Sequence, residues 1–177
     1  MKSNTITATA TFRLATPNDI PFLPAIERSA AQAFRALPDL AWLADSPTIS
    51  LSQHHGYVET GHSLVAIVNG QLAGFLLTEP LDDALFIAEI SVLQVWQGKG
   101  LGRQMIAQTL DHARKMAFPA VTLTTFRNVS WNAPFYARLG FYILHEQTLP
   151  AGLAARRQLE SAHGLAPETR CAMRLTL

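Results

Sequence analysis

The 177-residue sequence predicts a mixed α/β fold in which strands and helices alternate. Three observations carry this. Ser63–Val68, Asn69-Gly70 and Gln71–Thr78 read as a hairpin, because Asn-Gly favours the tight turn with two positive φ angles. The apolar run Leu85–Val92 reads as a strand, and Met105–Ala117 after it reads as an amphipathic helix. Between them lies Gln97-Gly98-Lys99-Gly100-Leu101-Gly102-Arg103, a glycine-rich connection of the kind that joins a strand to a helix.

The other elements follow in order. Phe12–Ala15 is a candidate first strand, and Thr16-Pro17-Asn18-Asp19 turns into a helix with Thr16 or Asn18 as its cap. That helix is expected over Asp19–Phe34, with Pro21 and Pro24 in its opening turn. Leu37–Tyr57 is weakly patterned and predicts short helices and loops. After the hairpin, Glu79–Asp83 makes a turn into the Leu85 strand. In the helix over Met105–Ala117, the residues Ile106, Leu110, Ala113 and Ala117 recur at helical spacing and should face the sheet. A strand at Val121–Thr125, a short helix from Trp131, a strand at Phe141–Leu144, a helix over Gly152–His163 and a last strand over Arg170–Leu177 complete the chain.

Bulk properties suit one globular domain over residues 11–177, preceded by a polar, flexible segment over residues 1–10 without the apolar core of a signal peptide. Hydrophobic residues make up 49% and charged residues 15%, which excludes a disordered chain. A formal net charge of +1 gives no broad footprint for nucleic acid, and no run approaches the ~20 apolar residues of a membrane span. A single cysteine, Cys171, allows no intrachain disulfide, and the six histidines show no ligand spacing for a metal. A cytoplasmic protein is the simplest expectation. His54 and His55 read as ordinary surface histidines, with the lining of an acceptor pocket as their other reading, and Trp42, Tyr57 and Trp96 read as packing residues rather than substrate contacts.

The glycine-rich connection carries the chemistry. Glycines let the backbone turn tightly and approach a ligand, and the helix that follows offers unpaired N–H groups and the positive end of its dipole. Together these form a socket for phosphate. The spacing departs from two common alternatives. A dinucleotide fingerprint needs a third glycine where Arg103 or Met105 stands, and a triphosphate loop needs Ser or Thr where Gly100 stands. What remains is Gln97-x-x-Gly100-x-Gly102.

This pattern resembles the acetyl-CoA loop of the GCN5-related N-acetyltransferases, the GNAT superfamily. A second motif agrees: Trp131-Asn132-Ala133-Pro134-Phe135-Tyr136-Ala137-Arg138-Leu139-Gly140-Phe141 resembles the family's short helix ending in Phe-Tyr-x-x-x-Gly-Phe. The resemblance implies a twisted, mostly antiparallel sheet flanked by helices, with a splayed parallel strand pair near Val92 and Val121 forming the acetyl-CoA cleft. It implies direct acetyl transfer to a primary amine of a small molecule or peptide, no metal, and a homodimer. Backbone N–H groups from Gly98 through Lys99, Gly100, Leu101 and Gly102 to Arg103 would hold the pyrophosphate, next to Gln97. Ile90, Ser91 and Val92 would line the pantetheine arm, with the backbone of Ile90 and Val92 pairing with it. Lys99 and Arg103 would add charge near the phosphates, or stand as solvated cations.

From the residues alone Tyr136 reads as an aromatic that packs, its hydroxyl satisfied by backbone; the resemblance implies it as the general acid for the departing thiolate. Glu89, a lone carboxylate in the strand Phe86–Val92, is the candidate base, with a structural acceptor as its alternative. The family's asparagine that meets the cofactor arm would fall at Val129. Asn128 and Asn132 flank that slot, and Asn132 is taken as the contact, with helix capping as its other reading. Two further functions stay open: a non-catalytic acyl-CoA-binding or sensor domain, and a nucleotide-dependent oxidoreductase, against which the missing third glycine counts.

Overall fold

A computed structural model describes residues 9–177, so most of the expected flexible segment over residues 1–10 lies outside the described residues. The strands are β1 (Ala10–Leu14), β2 (Ser63–Val68), β3 (Gln71–Leu81), β4 (Ala84–Val92), β5 (Ala120–Phe126), β6 (Tyr142–Ile143) and β7 (Arg170–Thr176). The helices are α1 (Leu23–Ala31), α2 (Leu51–Glu59), α3 (Leu101–Lys115), α4 (Ala133–Arg138) and α5 (Ala151–Ala162). The strand order is β1-β2-β3-β4-β5-β7-β6. Pairing is antiparallel for β1–β2, β2–β3, β5–β7 and β6–β7, and parallel for β4–β5 at Leu85↔Val121 and Phe86↔Thr122. The chain is thus a mixed α/β protein with a mostly antiparallel seven-stranded sheet. It divides into two compact units, one running through Leu77 and including Glu89–Ile106, the other made of Thr78–Ala88 and Ala107–Leu177.

In the first unit, the hairpin turn takes the predicted form, with Asn69 at φ 52° and Gly70 at φ 74°. The expected helix over Asp19–Phe34 is broken. Pro21 and Pro24 each lack an N–H, so each opens a segment of its own: a 3-10 turn at Ile20–Phe22, then α1, then a further 3-10 segment at Gln32–Ala36. Neither Thr16 nor Asn18 caps the start. Instead the Asp19 carboxylate accepts the Thr16 N–H at 2.7 Å and pairs with Arg13 at 2.7 Å. Short helices do fill the weakly patterned segment, a 3-10 stretch at Pro38–Asp45 and then α2, which a capping box of Ser50 and Gln53 begins. His54 departs from expectation. It is 0% exposed, edge-on to Phe75 with ring centroids 5.3 Å apart. Trp42 is not core, being 47% exposed.

In the second unit, β3 runs on through Glu79 and Pro80 to Leu81, where the sequence suggested a turn. Only Asp82 and Asp83 make the bend, with Asp82 at φ 54°. The Asp82 carboxylate then reaches the start of α5, accepting the Gly152 N–H at 2.7 Å and the Leu153 N–H at 3.1 Å. Leu153 packs with Phe86 and Ala172 in a core flanked by Leu81, Ala88, Leu144 and Leu149. Arg157, buried along α5, donates to Glu146, Glu160 and the carbonyls of Pro167 and Arg170. All three of its guanidinium nitrogens donate, which is what makes a buried arginine tolerable.

Helix α3 begins four residues earlier than predicted and ends two residues sooner. Its buried face is Leu101, Met105, Ile106, Thr109 and Ala113. Ala117 is not on that face; it is exposed in the left-handed region at φ 60°, where the chain leaves the helix.

Candidate functional site

The glycine loop that the sequence suggests as a phosphate socket lies in the first unit. Local hydrogen bonds fix the end of β4 and the loop after it. Leu93 N–H donates to Ala73 O at 2.8 Å, and Gln94 N–H donates to Ser29 Oγ at 3.0 Å. The Gln97 side-chain amide donates to Val92 O at 3.0 Å and to Ala30 O at 3.3 Å. Gln97 therefore ties the loop to β4 and to the end of α1 through its side chain. A 3-10 turn at Gln94–Trp96 leads into the glycines. Gly98 stands at φ 73° and Gly100 at φ 86°. Space does not demand glycine at position 98, because a Cβ there would meet nothing within 4 Å; the backbone conformation does.

Helix α3 starts directly after Gly100, with Gln104 N–H donating to Gly100 O at 3.1 Å. The N–H groups of Leu101, Gly102 and Arg103 precede that bond and lie in the turn that has no intrahelical acceptor. No acidic residue stands in this first turn. Lys99 and Arg103 are exposed, and the Lys99 ammonium lies 5.0 Å from the Trp96 ring centroid. Two left-handed glycines, an open helix start, two cations and no acid fit a pyrophosphate-bearing ligand.

Upstream on β4, Glu89, Ile90 and Val92 are partly buried and Ser91 is 2% exposed. Ser91 Oγ donates to Glu89 Oε1 at 3.1 Å. Strand alternation puts these two side chains on one face and those of Ile90 and Val92 on the other. Gly74 on β3 makes this packing close. A Cβ there would come within 2.8 Å of Ser91 O and 3.2 Å of Met105 Sδ. Reading the sequence missed Gly74, although an isolated glycine inside a strand pattern signals such an approach.

In the second unit, Tyr136 sits on α4 and is 6% exposed. Its ring meets Phe135 and Phe141 edge-on, at 5.2 and 5.8 Å between centroids. Gly140, at φ 104°, stops the helix as predicted. Asn132 precedes α4 without a side-chain cap bond, so its capping alternative is not realised. Its Nδ2 donates to Trp131 O at 3.3 Å, whereas its Oδ1 is buried and has no partner among the described residues. Asn128 is exposed, and Val129, in the slot between them, is buried. Cys171 is 0% exposed and burial pushes its thiol up, the wrong environment for a nucleophile. Among the described residues no group of three or more His, Cys, Asp or Glu could hold a metal ion, and no helix is long and apolar enough to cross a membrane.

Comparison with known proteins joins these observations. Residues 27–141, more than half of the chain, match the model of the Acetyltransferase (GNAT) family. An uncharacterized N-acetyltransferase of Bacillus subtilis (strain 168), YvbK, is 27% identical over 108 residues, covering 60% of this chain and 68% of that protein. PaiA N-acetyltransferase from Thermoplasma acidophilum, solved in complex with coenzyme A, superposes with a TM-score of 0.71 at 13% identity, over 96% of this chain and 99% of that one. N-acetylglutamate synthase from Neisseria gonorrhoeae, complexed with coenzyme A and N-acetyl-glutamate, gives a TM-score of 0.71 at 19% identity over 96% of this chain. The present chain spans only 35% of that synthase. At such identities the solved structures establish the fold, while the family model extends over the glycine loop, Glu89 and the Tyr136 motif. The chain belongs to the GNAT acetyltransferase family.

Proposed function

We propose that residues 11–177 act as one N-acetyltransferase domain that moves an acetyl group from acetyl-CoA directly to a primary amine of a small molecule or peptide. The observation that carries this is the loop. It presents left-handed Gly98 and Gly100 and an acid-free helix start flanked by Lys99 and Arg103. The backbone from Gly98 to Arg103 holds the pyrophosphate. The backbone of Ile90 and Val92 pairs with the pantetheine arm as an added strand would. Asn132 contributes its buried Oδ1, which lacks a donor among the described residues, to a donor on the cofactor arm.

Glu89 takes the proton that an ammonium must lose before it can attack. The amine nitrogen then bonds to the acetyl carbon as the carbon–sulfur bond breaks; the Tyr136 hydroxyl gives its proton to the departing sulfur, and the surplus proton on the new amide nitrogen passes to the Tyr136 phenolate, directly or through water. A thiolate of basicity near that of free cysteine is a suitable acceptor for a phenol.

Thermal unfolding with excess acetyl-CoA, with NADH as the matched control, tests the cofactor. Saturation at about 100 times Kd should add roughly 2.7 kcal/mol, a shift of several degrees at this chain length. No shift at millimolar acetyl-CoA overturns the reading, and a shift with NADH alone favours an oxidoreductase. Thiol release from acetyl-CoA with amino acids, a diamine and a short unblocked peptide then tests transfer. Binding without release from any of them points to a sensor domain.

A further inference from the structure

We infer that the Ser91 side chain is a positioning residue for Glu89, holding its carboxylate oriented and ionised for proton abstraction. This rests on the reading of Glu89 as the base. The two residues lie two apart on β4, so their side chains share a face, and Ser91 Oγ donates to Glu89 Oε1 at 3.1 Å. Ser91 is 2% exposed, so little water competes for that hydroxyl, whereas Glu89 is only partly buried and keeps a route to an incoming amine. The serine backbone is held as well, because Gly74 admits β3 to within contact of Ser91 O.

A hydroxyl has one proton to give, and given to a carboxylate it favours the ionised form over the protonated one. Glu89 has further interactions of its own, so Ser91 is one support and not the sole one. The role differs from cofactor binding: the strand backbone that pairs with pantetheine is the same whatever the side chain at position 91.

The test compares Ser91→Ala, Ser91→Thr and Glu89→Gln with the wild-type chain. The Glu89 carboxyl is titrated by 13C NMR, and kcat and KM are measured against pH with an amine that turns over in the panel above. Ser91→Ala should move the Glu89 titration and the acidic limb of the kcat profile to higher pH by about one pH unit. It should also lower kcat about tenfold at neutral pH, as expected for a hydrogen bond to a charged group, with KM for acetyl-CoA within twofold. Ser91→Thr, which keeps the hydroxyl, should restore both. If Ser91→Ala leaves titration and profile in place, the inference falls, whatever it does to rate or melting temperature. If Ser91→Ala moves the carboxyl titration yet Glu89→Gln keeps the wild-type pH–rate profile, Glu89 is not the base. The reading of Glu89 then falls separately, and the positioning role with it.

Discussion

Two helix starts in this protein solve the same electrostatic problem in opposite ways. Helix α5 begins after Pro150, which offers no side-chain cap, and the Asp82 carboxylate from the β3–β4 bend accepts the N–H groups of Gly152 and Leu153. Helix α3 begins after left-handed Gly100 with no acid in its first turn. Both ends present orphan donors and a positive dipole. One is neutralised by the chain itself and so serves stability. The other has no acid of the chain against it, and under the proposed function its field is left for the phosphates of acetyl-CoA.

An acid placed on the open start should break the contrast most strongly. Arg103→Asp puts a carboxylate where the phosphates should sit, and like charges at close quarters cost several kcal/mol. Acetyl-CoA affinity should fall about 100-fold by calorimetric titration, with little change in melting temperature, since Arg103 is exposed. An unchanged affinity would mean that the start of α3 does not hold the phosphates.

Removing the acid from the closed start is the converse. Asp82→Ala should cost about 2 kcal/mol of stability, the upper end for a lost cap, and leave acetyl-CoA affinity as it was. Gly152→Ala attacks the same junction sterically, since a Cβ there would lie 2.7 Å from Leu81 and 2.8 Å from Asp82. Denaturant unfolding measures both. A stable Asp82→Ala protein would show that α5 does not depend on that cap.

Acid should separate the two units by the pH at which each loosens. Burial pushes the His54 imidazole below its ordinary value, and both ring nitrogens lack partners among the described residues. Its neutral form is therefore the one that folds. The stability it protects is whole above the unfolded value near 6.5 and drains as pH falls below it, up to about 1.4 kcal/mol by pH 5.5. Glu160, in the second unit, behaves differently. Burial raises its carboxyl, but the guanidinium groups of Arg170 and Arg157 outweigh this and hold it below the usual carboxylate range. That contribution persists above about pH 4.5 and is lost as pH falls further. Hydrogen exchange should thus rise in α2 near pH 5.5 while α5 stays protected. Simultaneous opening would contradict this, and His54→Leu should remove the first phase.

The smallest effect belongs to the other end of α3. Ala117 sits at φ 60°, a region that costs a side chain about 1 kcal/mol. Ala117→Gly should raise stability by roughly that amount, read as a melting shift of a few degrees, with no change in cofactor affinity.

Much of this contrast was legible in the residues. The Asn69-Gly70 hairpin, the strand through Leu85 and the stop at Gly140 rest on local backbone preferences, which no distant contact overrides. The loop from Gln97 to Arg103 was equally plain, because conformations at positive φ leave glycine as their trace. Local patterns failed where a neighbour in space supplied the deciding energy. Glu79 and Pro80 look like a turn, yet β3 continues through them, and Asp82 finds its partner 70 residues away at Gly152. Two adjacent histidines look alike, yet only His54 lies against Phe75 in the core.

The sequence by itself determined the alternation of elements, the open glycine loop and the family. Spacing and backbone chemistry are local properties, and a motif of glycines at one helix start is already a statement about what that start can bind. Tertiary structure alone decided that Asp82 closes α5, that Gly74 brings β3 against Ser91, and that Ser91 donates to Glu89. Distance and burial set the worth of each of these groups, and both arise only when the chain packs.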